Sequence, residues 1–215
     1  EYMLLGTKDG NLYQWKFTSR MPKTPRSEYS GYGTLRSIAL SPDGHFFATA
    51  AGRKVGLWST KTLGCQTIFE AEASVYSVDF SPNGEQILLG IFDGTARLIN
   101  VKDPKKTTIF EGHTDGVYKA VFSPDGKTIL TASRDKTVKL WKLDSQPLTT
   151  FTGHTDKVYG LDFSPNGHLI FSGGADHTIK VWRNRFWQLT NKQLWKEVYQ
   201  FGDKEREQYG INWKY

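Results

Sequence analysis

The chain has 215 residues, 38% of them apolar and a further 21 glycine, an ordinary globular balance that excludes a wholly disordered polypeptide. Its net charge of +6, from 28 basic against 22 acidic side chains, is a mild excess over a whole surface and does not by itself imply nucleic acid. A single cysteine, Cys65, excludes an internal disulfide and a Cys-x-x-Cys knuckle, and neither a membrane-length apolar run nor a signal-peptide pattern is present, so a soluble chain is expected.

The chain opens on Glu1 inside a patterned segment, Met3-Leu4-Leu5-Gly6-Thr7, and runs through Asp9 to Trp15. This reads as a partial structural unit over residues 2–17 and as a piece of something longer. Residues 18–33 follow with two prolines, two glycines, several basic residues and no periodicity, which predicts a long basic inter-strand loop. Four fuller units come next, over about 35–60, 75–101, 113–143 and 154–183. A turn signal, Ser-Pro-Asp/Asn-Gly, begins at Ser41, Ser81, Ser123 and Ser164, 40, 42 and 41 residues apart. A second marker, a patterned segment closing on Trp, ends at Trp15, Trp58, Trp141 and Trp182, with Ile99 in the matching slot of the middle unit. Two independent features sharing a period of about 41 residues mean one supersecondary module repeated.

Within a unit the period is two. Val117 to Phe122 alternates, Ser123-Pro124-Asp125-Gly126 turns, and Thr128 to Ala132 alternates again. Proline presets φ at the second turn position and glycine relieves the exit. A second turn at Arg134-Asp135-Lys136 leads into Thr137 to Trp141, and Pro147 to Phe151 supplies a fourth strand. Each unit is therefore four short antiparallel strands. One such sheet cannot bury both faces, so consecutive sheets must stack around a ring. The expected fold is an all-β propeller of about four full blades and a partial one, either a small closed ring of five units or an incomplete ring.

Gly112-His113, Asp135 and Trp141, then Gly153-His154, Asp176 and Trp182, resemble the WD-repeat family, and the likeness covers roughly residues 2 to 182. The resemblance implies a hydrogen-bonded tetrad of His113, Thr131, Asp135 and Trp141 in the fourth unit, and of His154, Ser172, Asp176 and Trp182 in the fifth. A buried indole N–H needs an acceptor, a hydroxyl provides it, the imidazole bonds the hydroxyl, and Asp holds the imidazole. Other units depart from the pattern. The third has Ala71-Glu72 in place of Gly-His and Ile99 for Trp, the second keeps Trp58 but has Gly52 for Asp, and the first has only Asp9 and Trp15. Those blades rest on apolar packing and are expected to be locally less stable.

His113 and Asp135 near Ser123 or Ser133 invite a Ser-His-Asp reading, but the same His and Asp recur one period later, as scaffold does and a unique active site does not. His45, His168 and His177 have no partner at metal-ligand spacing, and Gly173-Gly174 lies between strands rather than ahead of a helix. No enzyme constellation, metal or cofactor is called for, and the chemistry to seek is binding.

In this family the face built from the loops between blades and between the second and third strands often contacts partners. Aligning Val75, Val117 and Val158 puts Tyr76, Tyr118 and Tyr159 in one slot, with Arg36 there in the second unit. Lys8, Phe92, Arg134 and Ala175 precede the turn Asp, and Lys157 lies just ahead of Tyr159. The expected partner-binding face is thus Tyr76, Tyr118, Tyr159, Arg36, Phe92, Arg134, Lys157 and Lys8, rich in the residue types that dominate interfaces. The tyrosines also suit the mouth of a central channel, and the two roles are compatible.

The remainder, 184–215, breaks the repeat. Gln193 to Phe201 reads as the last outer strand and Asp203 to Glu207 as an N-capped helical turn. Asp203 to Ile211 resembles the short tails of WD-repeat arrays in bacterial multidomain proteins, where the propeller follows an NTPase or protease module. Three function classes result. The first is a non-catalytic scaffold binding a protein or peptide partner, or other domains of a longer parent chain; the second is a sensor propeller of a larger signalling or defence enzyme. The third, a propeller stacking single-stranded nucleic acid on aromatics, is disfavoured by the small charge excess, and neither a membrane nor a small-molecule substrate is expected. With one cysteine and no Asn-x-Ser/Thr acceptor, the expected compartment is intracellular, cytoplasmic by default.

Overall fold

A computed structural model describes residues 2–16, 25–29 and 33–184. They form eighteen strands in five antiparallel sheets. The first sheet holds β1 (Tyr2–Gly6), β2 (Asn11–Lys16) and β3 (Arg26–Tyr29); the second β4 (Leu35–Leu40), β5 (Phe46–Ala51), β6 (Lys54–Ser59) and β7 (Cys65–Glu70). The third holds β8 (Val75–Phe80), β9 (Gln86–Ile91), β10 (Ala96–Asn100) and β11 (Thr107–Phe110), and the fourth β12 (Val117–Phe122), β13 (Thr128–Ser133), β14 (Val138–Lys142) and β15 (Pro147–Phe151). The fifth comprises β16 (Val158–Phe163), β17 (Leu169–Gly174) and β18 (Ile179–Arg183). In every sheet the strands pair in chain order, the meander of a propeller blade, and the array is an incomplete propeller.

The hairpins close on the repeated turn. Ser41 Oγ donates to Asp43 Oδ1 at 2.6 Å and accepts the Phe46 N–H at 3.0 Å. Ser81, Ser123 and Ser164 repeat this with Asn83, Asp125 and Asn166, each at 2.7 Å. Gly44, Gly84, Gly126 and Gly167 take φ of +71°, +73°, +68° and +72°, the left-handed region in which a Cβ is strained. The signal at Ser41, Ser81, Ser123 and Ser164 is therefore a hydrogen-bonding device as much as a bend.

One stretch differs from its sequence reading. Within the expected loop 18–33, Arg26–Tyr29 forms β3 and pairs with β2, Asn11 opposite Tyr29 and Gln14 opposite Arg26. Pro25 has no N–H to give a ladder and so precedes the strand, while the polar four-residue segment carries no alternation to betray it. The expected outer strand 193–201 and the turn at 203–207 lie outside the described residues.

The core sits between sheets. Leu88, Ala96 and Leu98 of the third sheet share a buried cluster with Ala120, Phe122, Ile129 and Trp141 of the fourth. Leu130, Val138 and Leu140 of the fourth meet Leu161, Phe163 and Ile170 of the fifth. Ala48 and Val55 of the second meet Val78, Phe80, Ile87 and Ile99 of the third, and Leu12 of the first meets Leu35, Phe47 and Trp58 of the second. Innermost strands are also stitched side chain to backbone. Ser37 Oγ accepts the Val78 N–H at 3.2 Å, Ser77 Oγ the Ala120 N–H at 2.9 Å, and Asp79 Oδ2 the Phe122 N–H at 2.8 Å. Burial pushes the Asp79 carboxyl up, against the pull of the Phe122 N–H and of Lys119, and with a further push from Asp162.

Leu130 is fully buried at the junction of the fourth and fifth sheets. Leu130→Ala should lower the unfolding free energy by about 2–5 kcal/mol in a denaturant titration; a loss under about 1 kcal/mol would mean that burial between sheets does not hold the fold together.

Candidate partner-binding face

The inner strands β4, β8, β12 and β16 share one irregularity. The register of each with its neighbour shifts after the first residue, between Leu35 and Ser37, Val75 and Ser77, Val117 and Lys119, and Val158 and Gly160. The skipped residues are Arg36, Tyr76, Tyr118 and Tyr159. A bulge leaves one residue unpaired and re-aims its side chain, so one backbone device presents all four at the same rim.

The rings form a ladder across three sheets. Tyr76 and Phe92 stack with centroids 5.3 Å apart, Tyr76 meets Tyr118 edge-on at 5.0 Å, and Tyr118 meets Tyr159 at 4.8 Å. Arg36 caps one end, its guanidinium 4.3 Å from the Tyr76 centroid. Arg134 lies 5.8 Å from the Phe92 centroid and 3.4 Å from Asp115 Oδ2. Such cation–π contacts hold a flat charged group against a ring. Phe92 fits because Gly116 has no side chain: a Cβ there would lie 2.6 Å from the ring. Tyr76 and Tyr118 are half-buried, whereas Tyr159 is 50% exposed and is the open end of the ladder. Burial, then Tyr159, raises the Tyr118 phenol, with Arg134 opposing, so the hydroxyl stays neutral and able to donate at ordinary pH.

The ladder thus unites Arg36, Tyr76, Phe92, Tyr118, Tyr159 and Arg134. Lys157 is half-buried just ahead of Tyr159, its backbone N–H bonded to Asp156 Oδ1 at 2.8 Å. Lys8 is exposed on the β1–β2 turn of the first sheet, the position that Phe92 and Arg134 hold in theirs. Asp115, which orients Arg134, closes a Gly-His-Thr-Asp run that recurs at 153–156, but its pairing with Arg134, like the place of Gly116 and the bulges, becomes visible only once the strands are paired.

A second group of polar residues is buried. His113 Nδ1 lies 2.7 Å from Asp135 Oδ2, His113 Nε2 lies 2.7 Å from Thr131 Oγ1, and Trp141 Nε1 donates to Thr131 Oγ1 at 2.9 Å. His154, Asp176, Ser172 and Trp182 repeat the set at 2.8, 2.8 and 2.9 Å. An ionised Asp only accepts, so Nδ1 donates to it and the hydroxyl donates to Nε2. Thr137 and Thr178 also donate to the two carboxylates, at 2.6 and 2.8 Å. Burial alone would raise the Asp135 carboxyl, but hydrogen bonds from His113 and Thr137 outweigh it and hold the group well below the usual range. Asp176 is held low in the same way, by the Thr155 N–H, Thr178 and His154 against desolvation. These pairings occupy the imidazoles with Thr131 and Ser172, which are buried. Ser123 and Ser133 are engaged elsewhere, with Asp125 and with the Asp115 carbonyl. In the second sheet Trp58 Nε1 donates to Thr49 at 2.9 Å without any His.

Carboxyls held low stabilise fully above the unfolded value near about 4 and lose that contribution as pH falls through the folded value. An Asp135→Asn, Asp176→Asn double variant should be less stable than wild type at neutral pH and should lose less stability on acidification below about pH 4. Asp79, shifted the other way, acts in both proteins and cancels in the comparison; parallel acid profiles would disprove the account. Thr131→Val, which orphans the Trp141 N–H, should cost about 1–3 kcal/mol by thermal or denaturant unfolding.

The chain is similar to Protein tipD of Dictyostelium discoideum, 33% identical over 127 residues, which is 57% of this chain and 20% of that protein. It is also similar to U3 small nucleolar RNA-associated protein 12 of Saccharomyces cerevisiae (34% over 127 residues, 58% of this chain, 13% of that protein). A third relative is the serine-threonine kinase receptor-associated protein of Gallus gallus, 32% identical over 111 residues, covering 51% of this chain and 31% of that protein. The chain thus spans a fifth or less of the first two relatives. The family described as "WD domain, G-beta repeat" matches four times, at residues 23–59, 63–100, 104–142 and 145–183. With that match over most of its length, the chain belongs to the WD40 repeat family.

Proposed function

We propose that this chain is a non-catalytic interaction scaffold that binds a protein or peptide partner through the rim where the inner-strand bulges converge. The observation that carries the reading is the ladder from Arg36 through Tyr76, Phe92 and Tyr118 to the exposed Tyr159. Tyrosines held by their neighbours offer area and a phenol at low entropic cost, and Arg and Tyr are the side chains that dominate interface energies. Arg134 supplies a cation against Phe92, and Lys157 and Lys8 are read as further cations of the same binding face. The names of two relatives point to association rather than catalysis, one with U3 small nucleolar RNA and one with a serine-threonine kinase receptor. The partner is a polypeptide, either a separate protein or another domain of a longer parent chain, and the setting is intracellular.

The test is capture from native extract followed by mass spectrometry, with wild type beside a Tyr76→Ala, Tyr118→Ala, Tyr159→Ala triple variant of verified fold. A partner held by wild type should be lost by the variant, and Tyr159→Ala alone should weaken it about tenfold or more while leaving stability within about 0.5 kcal/mol. Identical capture by both proteins would remove the ladder as the binding site. Retention on single-stranded nucleic acid that falls steeply with salt would transfer the face to a different class of ligand.

A further inference from the structure

In the middle of the ladder, hydrogen-bond donors are unengaged while the nearby acceptors are in use. Arg36 is exposed and lies 4.3 Å from the Tyr76 centroid, and among the described residues no carboxylate pairs with it. Arg134 sits over Phe92 and meets Asp115 Oδ2 through Nε, at 3.4 Å, with 40% of its side chain exposed; its two terminal nitrogens have no acceptor among the described residues. The acids of the neighbouring turns each have a donor already. Asp115 also accepts the Gly116 N–H at 2.7 Å, Asp93 accepts the Thr95 hydroxyl at 2.6 Å and faces Arg97 at 3.6 Å, and Glu72 faces Arg53 at 3.6 Å. A guanidinium laid on a ring is held in place with its face covered, and its edge N–H groups are the part that pairs with a carboxylate. Contacts of 4.3, 5.3 and 5.8 Å link Arg36, Tyr76, Phe92 and Arg134 in series, a span that about five extended residues or fewer cover.

Taking the ladder as the binding face, on which this inference rests, we propose that the partner's segment is acidic: a short extended peptide with two Asp or Glu side chains, one paired with Arg36 and one with Arg134, while the Tyr76 and Tyr118 hydroxyls donate to it. Charge complementarity names the occupant, because a face with two unengaged guanidiniums and engaged carboxylates recognises acceptors and repels further cations. The net charge of +6 draws an anionic segment in the same direction. Nucleic acid is also anionic, but its bases stack on open ring faces, and Tyr76 is covered by Arg36 and packed against Phe92 and Tyr118.

Random dodecapeptides displayed on phage are selected on the full 215-residue chain, and the clones are screened against the Tyr76→Ala, Tyr118→Ala, Tyr159→Ala variant. Clones that need the tyrosines should be enriched in Asp and Glu, with two acids within about five positions of each other. For synthetic peptides of those clones, Arg36→Gln and Arg134→Gln should each raise Kd about tenfold or more, as should replacing the matching peptide Glu by Gln. In a double-mutant cycle the two losses should not add, since each removes one partner of the same pair; a merely structural effect of the arginine would add in full. Arg36→Lys replaces Arg36→Gln if thermal unfolding shows that variant to be misfolded, and should keep part of the affinity. Tyrosine-dependent clones without an excess of Asp and Glu, or losses that add in full at both arginines, overturn the acidic partner and leave the ladder as the binding face. If no clone depends on the tyrosines, both readings fall. Single-stranded oligothymidine that displaces the acidic peptides, and binds more tightly than they do in a tyrosine-dependent manner, overturns the proposal in favour of nucleic acid.

Discussion

Every sheet in this chain is apolar on both sides. Ile87, Leu88 and Leu89 are consecutive on β9, and all three are buried, although successive residues of a strand point to opposite faces. A sheet of this kind has no side that water can take, and burial is worth about 25 cal/mol for each Å² removed. The second, third and fourth sheets are accordingly each buried between two neighbours. The short turns, the strands of four to six residues and the convergence of inner strands all serve to bring the next sheet into place within about 41 residues.

The same constraint explains three treatments of one buried position. In the fourth and fifth sheets Trp141 and Trp182 bring an indole N–H into the interior, and a hydroxyl, an imidazole and a carboxylate satisfy it and one another. The second sheet satisfies Trp58 with Thr49 alone. The third removes the need, placing Ile99 and Leu89 where the other sheets have Trp and a hydroxyl. Each solution leaves no orphaned indole, so each avoids the unpaired group that low dielectric makes costly. His and Asp recur in two sheets because packing recurs, which is why geometry that resembles a catalytic pair is structural here.

The rim has a different origin. Its aromatic ladder arises from a bulge repeated in four inner strands, which takes one residue in each out of the pairing pattern, and the four side chains meet in one row. The scaffold sets the position and leaves the residue free to vary: Arg36 in one blade, tyrosine in three. Frame and surface are thereby separated, so one architecture carries many partners.

The period, the turn signal and the Trp marker made the blades legible in the sequence, because each rests on local chemistry: proline and glycine angles, a serine hydroxyl reaching two residues on, alternation along a strand. The partners of His113 and His154 were legible for the same reason, since the residues recur at constant offsets. β3 was not, because four polar residues carry no periodicity and only the edge of β2 makes them a strand. Nor were the bulges, the place of Gly116 under Phe92, the link of Asp115 to Arg134, or the stitching of Asp79 to Phe122. These depend on register and on contacts between residues far apart in the chain, up to 43 positions for Asp79 and Phe122, which no window of local sequence contains. The sequence by itself determined the repeating unit and its turns; tertiary structure alone decided which side chains face a neighbour, which meet in the aromatic ladder, and which are left in water, because those outcomes belong to pairs of sheets.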